Sequence, residues 1–280
     1  MTYFKAVGPR AGHETWLLTD IGARRPGLVP DVLAVDHAAG WFLMADHGGP
    51  MHDVLAPAEQ VAVVASLLPA YAEVQRTTRD LVARWREVGV PDRSTGRMPE
   101  RLEDLLAGRG TSGPILIDED ELSAYRRELG RFADVCAQLG GTEGVDHADL
   151  HGWNVFVAGD DARIADWGDA CITHPFSSLL VPIEWIVARL PPDLHAAAAR
   201  RVRDAYAEGW GAGLDHDELA RAFWVAYVAR ALSNDEQSLG APPDDLGSMR
   251  REIVMMLRSW YRKRSSLTSP DAMLRPDLRW

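Results

Sequence analysis

Asp149, Asn154 and Asp166 carry oxygen-bearing side chains that can converge on one point. They fall in HADLHGWNVFVAGDDARIADWGDA (147–170), where Gly159-Asp160-Asp161 separates two alternating runs, 154–157 and 162–165, as in a β-hairpin. A turn centred on Asp160 sets Asn154 directly across from Asp166, with Cβ atoms roughly 4.5 to 5.5 Å apart. Asp149 lies on the loop entering the same end. An amide oxygen and a carboxylate at that separation can share one hard divalent cation, because Mg²⁺ takes oxygen ligands and completes its shell with water and phosphate. A further carboxylate beside such a clamp could place a hydroxyl for phosphoryl transfer, which needs in-line positioning and charge neutralisation more than covalent work. Taken singly, Asp and Asn are ordinary turn and cap residues. It is the run His-x-Asp-x4-Asn, followed by Asp-Trp-Gly after an apolar strand, that points to a site.

These side chains need elements to hold them. In the first fifty residues, short β-type runs YFKAV, VLAV and WFLMA are broken by turn material, and DHAAG between the last two reads as a hairpin. Glu14 to Arg24 carries Leu17, Leu18 and Ile21 at helical spacing, and Pro26 ends it. Lys5 sits on the first strand. It and Lys263 are the only lysines, Arg supplying the remaining positive charge, so Lys5 asks for a reason. Glu14 shares the apolar face of its helix, an odd place for a charge unless a partner is buried with it, and Lys5 is the candidate. The plainer alternative makes Glu14 a helix-start residue and Lys5 a solvated edge residue.

After His47-Gly48-Gly49-Pro50 the pattern turns helical. It predicts one long stretch over 57–88 kinked at Pro69, a polar connection to Pro114, and a second long helix over 118–138. The acidic start of that second helix suits the positive end of the dipole. Three or four helices follow from Pro175 onward. No internal repeat or low-complexity segment is visible.

With 280 residues, 46% hydrophobic and 25% charged, the composition is that of an ordinary globular chain and excludes disorder, collagen and coiled coil. No apolar run approaches the roughly 18 to 20 residues that cross a bilayer, and charged residues interrupt the N-terminus early, so a cytoplasmic protein without a membrane partner is expected. Cys136 and Cys171 lie in no CxxC or Cys/His cluster and read as reduced packing residues. Thirty basic against 41 acidic residues, a net charge of -11, disfavours nucleic acid and favours a cationic or neutral partner.

The stretch from His147 to Ala170 resembles the catalytic and metal loops of the aminoglycoside phosphotransferase family, small-molecule kinases with a protein-kinase-like fold. His147-Ala148-Asp149-Leu150-His151-Gly152-Trp153-Asn154 matches the family's HGDLHxxN pattern, and Ile164-Ala165-Asp166-Trp167-Gly168-Asp169-Ala170 its ID(F/W)xDA pattern. The resemblance implies an α+β, two-lobe fold with a reduced N-terminal β lobe over 1–48 and a large, mostly helical C-terminal lobe over 49–280. It implies Asp149 as catalytic base or hydroxyl-orienting residue, His147 as the loop's brace, and Asn154 and Asp166 as Mg²⁺ ligands. Lys5 would be the strand lysine that reaches the phosphates of ATP or GTP, with Glu14 its helix partner. Met44, Asp46 and Gly48 would belong to the hinge that binds the base. The family has two further strands and a nucleotide-covering loop before the lysine strand. This chain begins four residues ahead of Lys5, so that segment is expected upstream of Met1, the alternative being a reduced lobe. After Asp169, Ala-Cys-Ile-Thr-His-Pro-Phe-Ser-Ser-Leu departs from the family's Gly-Asp-Pro segment, which leaves the acceptor open.

The leading expectation is therefore a kinase moving the γ-phosphoryl group of ATP or GTP to a hydroxyl of a small molecule, an aminoglycoside-like or other sugar or amino-alcohol acceptor. Glu184, Trp185, Trp224, Asp235 and Glu236 would suit a cationic acceptor, though each also reads as a core or surface helix residue. Two alternatives come from other classes. One is a nucleotide-binding protein without activity. The other is a hydrolase whose metal is held by His147-x-Asp149-x-His151, with His174 as the nearest further ligand.

Overall fold

The computed structural model describes residues 1–8, 10–211 and 215–267, so the expected C-terminal lobe beyond 267 lies outside the described residues. The chain opens as strand β1 (Thr2–Ala6), helix α1 (Glu14–Arg24), and strands β2 (Val32–Asp36) and β3 (Trp41–Ala45), the order the sequence predicts. These strands form one antiparallel sheet in the order β1-β3-β2, with Lys5 directly across from Phe42. Helix α1 buries Leu17, Leu18 and Ile21, and Glu14 with them. Burying each aliphatic side chain contributes about 1.5 to 3 kcal/mol. A charged group on that face is stable only with partners.

Past Gly48 the chain joins the helical half at once. Strand β4 (Gly49–Pro50) runs into α2 (Met51–Val54), followed by α3 (Pro57–Thr77). The break in the predicted 57–88 helix falls at Thr78, with α4 at Val82–Glu87, and α3 runs through Pro69. Gly209 packs on Pro69 so closely that a Cβ there would lie 2.2 Å from the Pro69 carbonyl oxygen. The neighbouring helix, α9 (His195–Trp210), thus seats directly on the proline turn.

The polar connection to Pro114 contains α5 (Met98–Leu106), which buries Met98, Leu102, Leu105 and Leu106. The 118–138 helix divides at Glu128 into α6 (Glu119–Arg127) and α7 (Leu129–Gln138). Asp118 caps α6 by accepting the Glu121 amide at 2.7 Å. Strands β5 (Gly144–Asp146) and β8 (Cys171–Thr173) pair with each other, while β4, β6 (Val155–Ala158) and β7 (Asp161–Ile164) form the hairpin sheet. Helices α8 (Leu180–Ala188), α9, α10 (His216–Gln237) and α11 (Pro243–Lys263) complete the helical half.

Helix α10 is buried on nearly every side, from Leu219 to Asp235, as a helix apolar all round must be. Phe132 meets Trp224 and Trp260 edge-on at 5.7 Å, an arrangement that adds about 0.5 to 1.5 kcal/mol per pair beyond area burial. Because α10 is the central rod, polar residues near its C-terminus are held at fixed positions. Both cysteines are free and buried, and burial pushes each thiol up to about 12. No helix among the described residues is long and apolar enough to cross a membrane.

Candidate active site

The hairpin forms, but one residue out of the expected register. Gly159 adopts φ +61°, the turn shortens to Gly159-Asp160, and Val155 pairs with Ile164. Asn154 consequently faces Ala165, whose amide it accepts at 2.8 Å, rather than Asp166. Asp166 follows in the left-handed region, φ 60° and ψ 65°, and turns the chain into a short 3₁₀ segment over 167–169. Ala148, beside Asp149, is also left-handed at φ 62°. Non-glycine residues adopt this conformation at a cost of order 1 kcal/mol, and only where the surroundings dictate it.

Bonds hold both positions. His147, fully buried, accepts the Asp149 amide at Nδ1 (3.2 Å), so its Nε2 carries the proton donated to the Ala165 carbonyl at 2.8 Å. The ring thereby ties the 147–154 loop to the strand end that leads into Asp166. The Ala148 amide donates to Asp146 Oδ1 at 2.9 Å. Asn154 Nδ2 donates to the Asp149 carbonyl (2.8 Å) and to Asp149 Oδ2 (3.0 Å), which fixes the amide's orientation and leaves Oδ1 as the atom for any further partner.

Across the cleft, Lys5 Nζ donates to Glu14 Oε1 and to Asp166 Oδ1, each at 2.8 Å. Glu14 Oε1 also accepts the Trp167 amide at 3.2 Å. Burial pushes the Glu14 carboxyl up against the opposing pull of Lys5. For Lys5, burial is outweighed by the two carboxylates, which hold the ammonium above its ordinary value. The lysine is thus the bridge between α1 and the loop after the hairpin. A cavity of about 660 Å³ opens over it, lined among others by Lys5, Glu14, Arg93, Asp149, Asp166 and Asp169.

A second cavity, of about 620 Å³, lies on the far side of Asp149 and is lined by His151, Glu184, Trp185, Arg189, Arg230 and Asn234 among others. Asp149, Asp169 and Gln237 belong to both walls, so the two cavities meet at the Asp149 carboxylate. Burial alone would raise that carboxyl, but hydrogen bonding from His151 and the charge of Arg230 hold it well below the usual range. His151 Nδ1 accepts the Trp153 amide at 3.3 Å, so Nε2 is the donor that meets Asp149 Oδ2 at 3.2 Å. Asp169 is shifted the other way, by burial and by Asp149's charge.

The donor set suits a hard cation. Asn154 Oδ1 and the half-exposed Asp166 carboxylate could serve as oxygen ligands, the donor type that a magnesium ion keeping water and phosphate ligands takes. The histidine-ligand arrangement does not form. Both ring nitrogens of His147 are engaged by backbone groups, and His174, fully buried, is held by Glu218 at 3.0 Å and by the Phe176 amide at 3.3 Å. Among the described residues no group of three or more His, Cys, Asp or Glu side chains is gathered to hold a metal.

Other expected residues are placed elsewhere. Met44, Asp46 and Gly48 line neither cavity. The Asp46 amide donates to the Met1 carbonyl, and Gly48, at φ +84°, lies where a Cβ would be 2.0 Å from the Val157 carbonyl oxygen. Of the acceptor-side candidates, Glu184 and Trp185 do line the second cavity. Trp224 is core, its indole donating to the Trp260 carbonyl at 2.7 Å. Asp235 accepts the Thr111 and Ser112 amides and so fastens that loop. Glu236 pairs with Arg93 and Arg101 and lines the Lys5 cavity instead. Sequence reasoning missed Arg93, Arg230 and Gln237, none of which lies near a motif.

No protein-family model matches the chain, and no curated protein matches its sequence significantly. Solved structures do match. A choline/ethanolamine kinase family protein from Mesorhizobium loti is 15% identical with a TM-score of 0.63, over 98% of this chain and 86% of that one. A macrolide 2'-phosphotransferase from Brachybacterium faecium is 19% identical at TM-score 0.61, over 91% and 84%. An aminoglycoside phosphotransferase from Streptomyces rimosus, in complex with ADP and streptomycin, is 17% identical at 0.52, over 83% and 86%. The chain has the protein-kinase-like fold of these proteins, with a small sheet lobe and a larger helical lobe.

Proposed function

We propose that this protein is a small-molecule kinase that moves the γ-phosphoryl group of ATP or GTP to a hydroxyl group. The observation that carries the reading is the meeting of two cavities at one ionised carboxylate, with Lys5 and Asp166 on one side and an aromatic, polar-walled space on the other. The small lobe ends near Gly48, and the cleft above Lys5 takes the triphosphate. Lys5, fixed by Glu14, supplies positive charge to the phosphates. Asn154 and Asp166 hold magnesium. Magnesium, when bound, supplies charge neutralisation on the phosphate oxygens.

On the acceptor side, Asp149 accepts a hydrogen bond from the attacking hydroxyl and aims its oxygen in line. Because the carboxylate is strongly held in its ionised form, orientation is its larger contribution and proton removal comes late. The acceptor stands between Asp149 and Trp185. Trp185 lies partly exposed on that wall with the Arg189 guanidinium over its ring at 4.8 Å, so that wall presents an aromatic edge and a cation together. The solved neighbours act on choline, ethanolamine, macrolides and aminoglycosides by their descriptions, which supports a hydroxyl-bearing small-molecule acceptor.

The test is a thermal-shift titration with Mg·ATP and Mg·GTP. The unmodified protein is expected to gain stability with one of them as RT ln(1 + [L]/Kd), and Asp166→Ala to lose that gain. A shift equal in both proteins would remove Asp166 from nucleotide binding.

A further inference from the structure

Arg230 stands outside every motif, 81 residues along the chain from Asp149, yet its guanidinium grips the centre of the site. Nη2 donates to Asp149 Oδ1 and Nη1 to the Ala148 carbonyl, both at 2.8 Å. The second of these bonds holds the left-handed residue just before the carboxylate. On the same helix, Gln237 donates to Asp169 Oδ1 at 2.7 Å, so α10 grips both loops that wall the acceptor cavity.

We propose that Arg230 is a positioning residue for phosphoryl transfer, selecting the lone pair of Asp149 that meets the attacking hydroxyl; this rests on the kinase reading above. A carboxylate offers about four lone-pair sites. Oδ2 is filled by Asn154 Nδ2 and His151 Nε2, and Oδ1 has taken Arg230. One direction remains, on Oδ1 beside the guanidinium, and Asp149 and Arg230 both line the acceptor cavity. The bidentate hold removes rotation of the carboxylate and of the strained Ala148 peptide together. A lysine, with a single point of charge, would keep the attraction but lose the second bond.

Because the acceptor is unidentified, the probe is the slow transfer of the γ-phosphate of Mg·ATP to water, measured with thermal shift in the unmodified protein, Arg230→Ala and Arg230→Lys. The Mg·ATP shift is expected to persist in both variants, since Arg230 does not line the Lys5 cavity. Turnover is expected to fall roughly tenfold to a hundredfold in Arg230→Ala with the KM for ATP unchanged. It should recover in part in Arg230→Lys and in part when non-denaturing guanidinium is added to Arg230→Ala. A purely structural residue would give no such chemical rescue. Turnover within twofold of the unmodified protein, or an equal loss in both variants with no response to guanidinium, overturns the inference. Absence of both shift and hydrolysis in the unmodified protein, with Mg·GTP as well as Mg·ATP, overturns the kinase reading itself, and this inference with it.

Discussion

At the residue scale, the most exposed dependency is Glu14, a buried acid whose charge is met by Lys5. Removing one partner of a buried ion pair costs 3 to 5 kcal/mol, but Lys5 is one-third exposed, so about 2 kcal/mol is expected for Lys5→Met at neutral pH. The sign with pH follows from the raised folded-state value of Glu14. The folded state holds that proton more tightly than the unfolded chain, so stability falls as pH rises from the unfolded value through the folded one. Without Lys5 the folded value rises further, and the cost of Lys5→Met is small below the ordinary carboxyl range and grows above it. Denaturant unfolding at acid and neutral pH measures this, and equal losses at both would contradict it. Lys5, Glu14, Asp149, Asn154 and Asp166 were legible because rare residue types or tight spacing marked them. Arg230 was not, since one arginine among many on a buried helix carries no local signal and only tertiary packing brings it to Asp149.

At the scale of elements, the hairpin shows how far periodicity reaches. Alternation located both strands, but a two-residue turn instead of a longer one moved every pair by one, and a slip by one exchanges faces. Asp166 still reaches Lys5 because its left-handed backbone redirects the chain after the ladder ends. Helix ends were less legible. The chain continues through Pro69, because that turn is packed on Gly209, and it breaks instead at Thr78, which no strong breaker marks. Gly209→Ala separates the competing effects. Helix propensity alone favours alanine by about 1 kcal/mol, whereas a Cβ 2.2 Å from a backbone oxygen forces α3 and α9 apart. Overpacking of this kind costs about 1 to 3 kcal/mol, so a net loss of up to about 2 kcal/mol in denaturant unfolding is expected. A stabilised variant would show that the contact is looser than described.

For the whole molecule, polar ties join the two halves along α1, where Arg24 pairs with Asp80 and Trp85 donates to Asp20, and at the cleft. Lys5 reaches Asp166, and Arg10 donates to the Gln237 carbonyl at 3.0 Å. Nucleotide bound there would add contacts to both halves, and global stability would then report occupancy. The helical half contributes both acceptor-cavity walls and, through α10, the orientation of Asp149. The chain's net charge of -11 sets no specificity by itself. The most direct measurement is transfer of label from γ-labelled nucleotide to a panel of small hydroxyl compounds, comparing the unmodified protein with Asp149→Asn. A labelled phosphoester is expected with the former and a fall of about 10²- to 10⁴-fold with the latter, its Mg·nucleotide stabilisation retained; equal labelling by both proteins would remove Asp149 from the transfer.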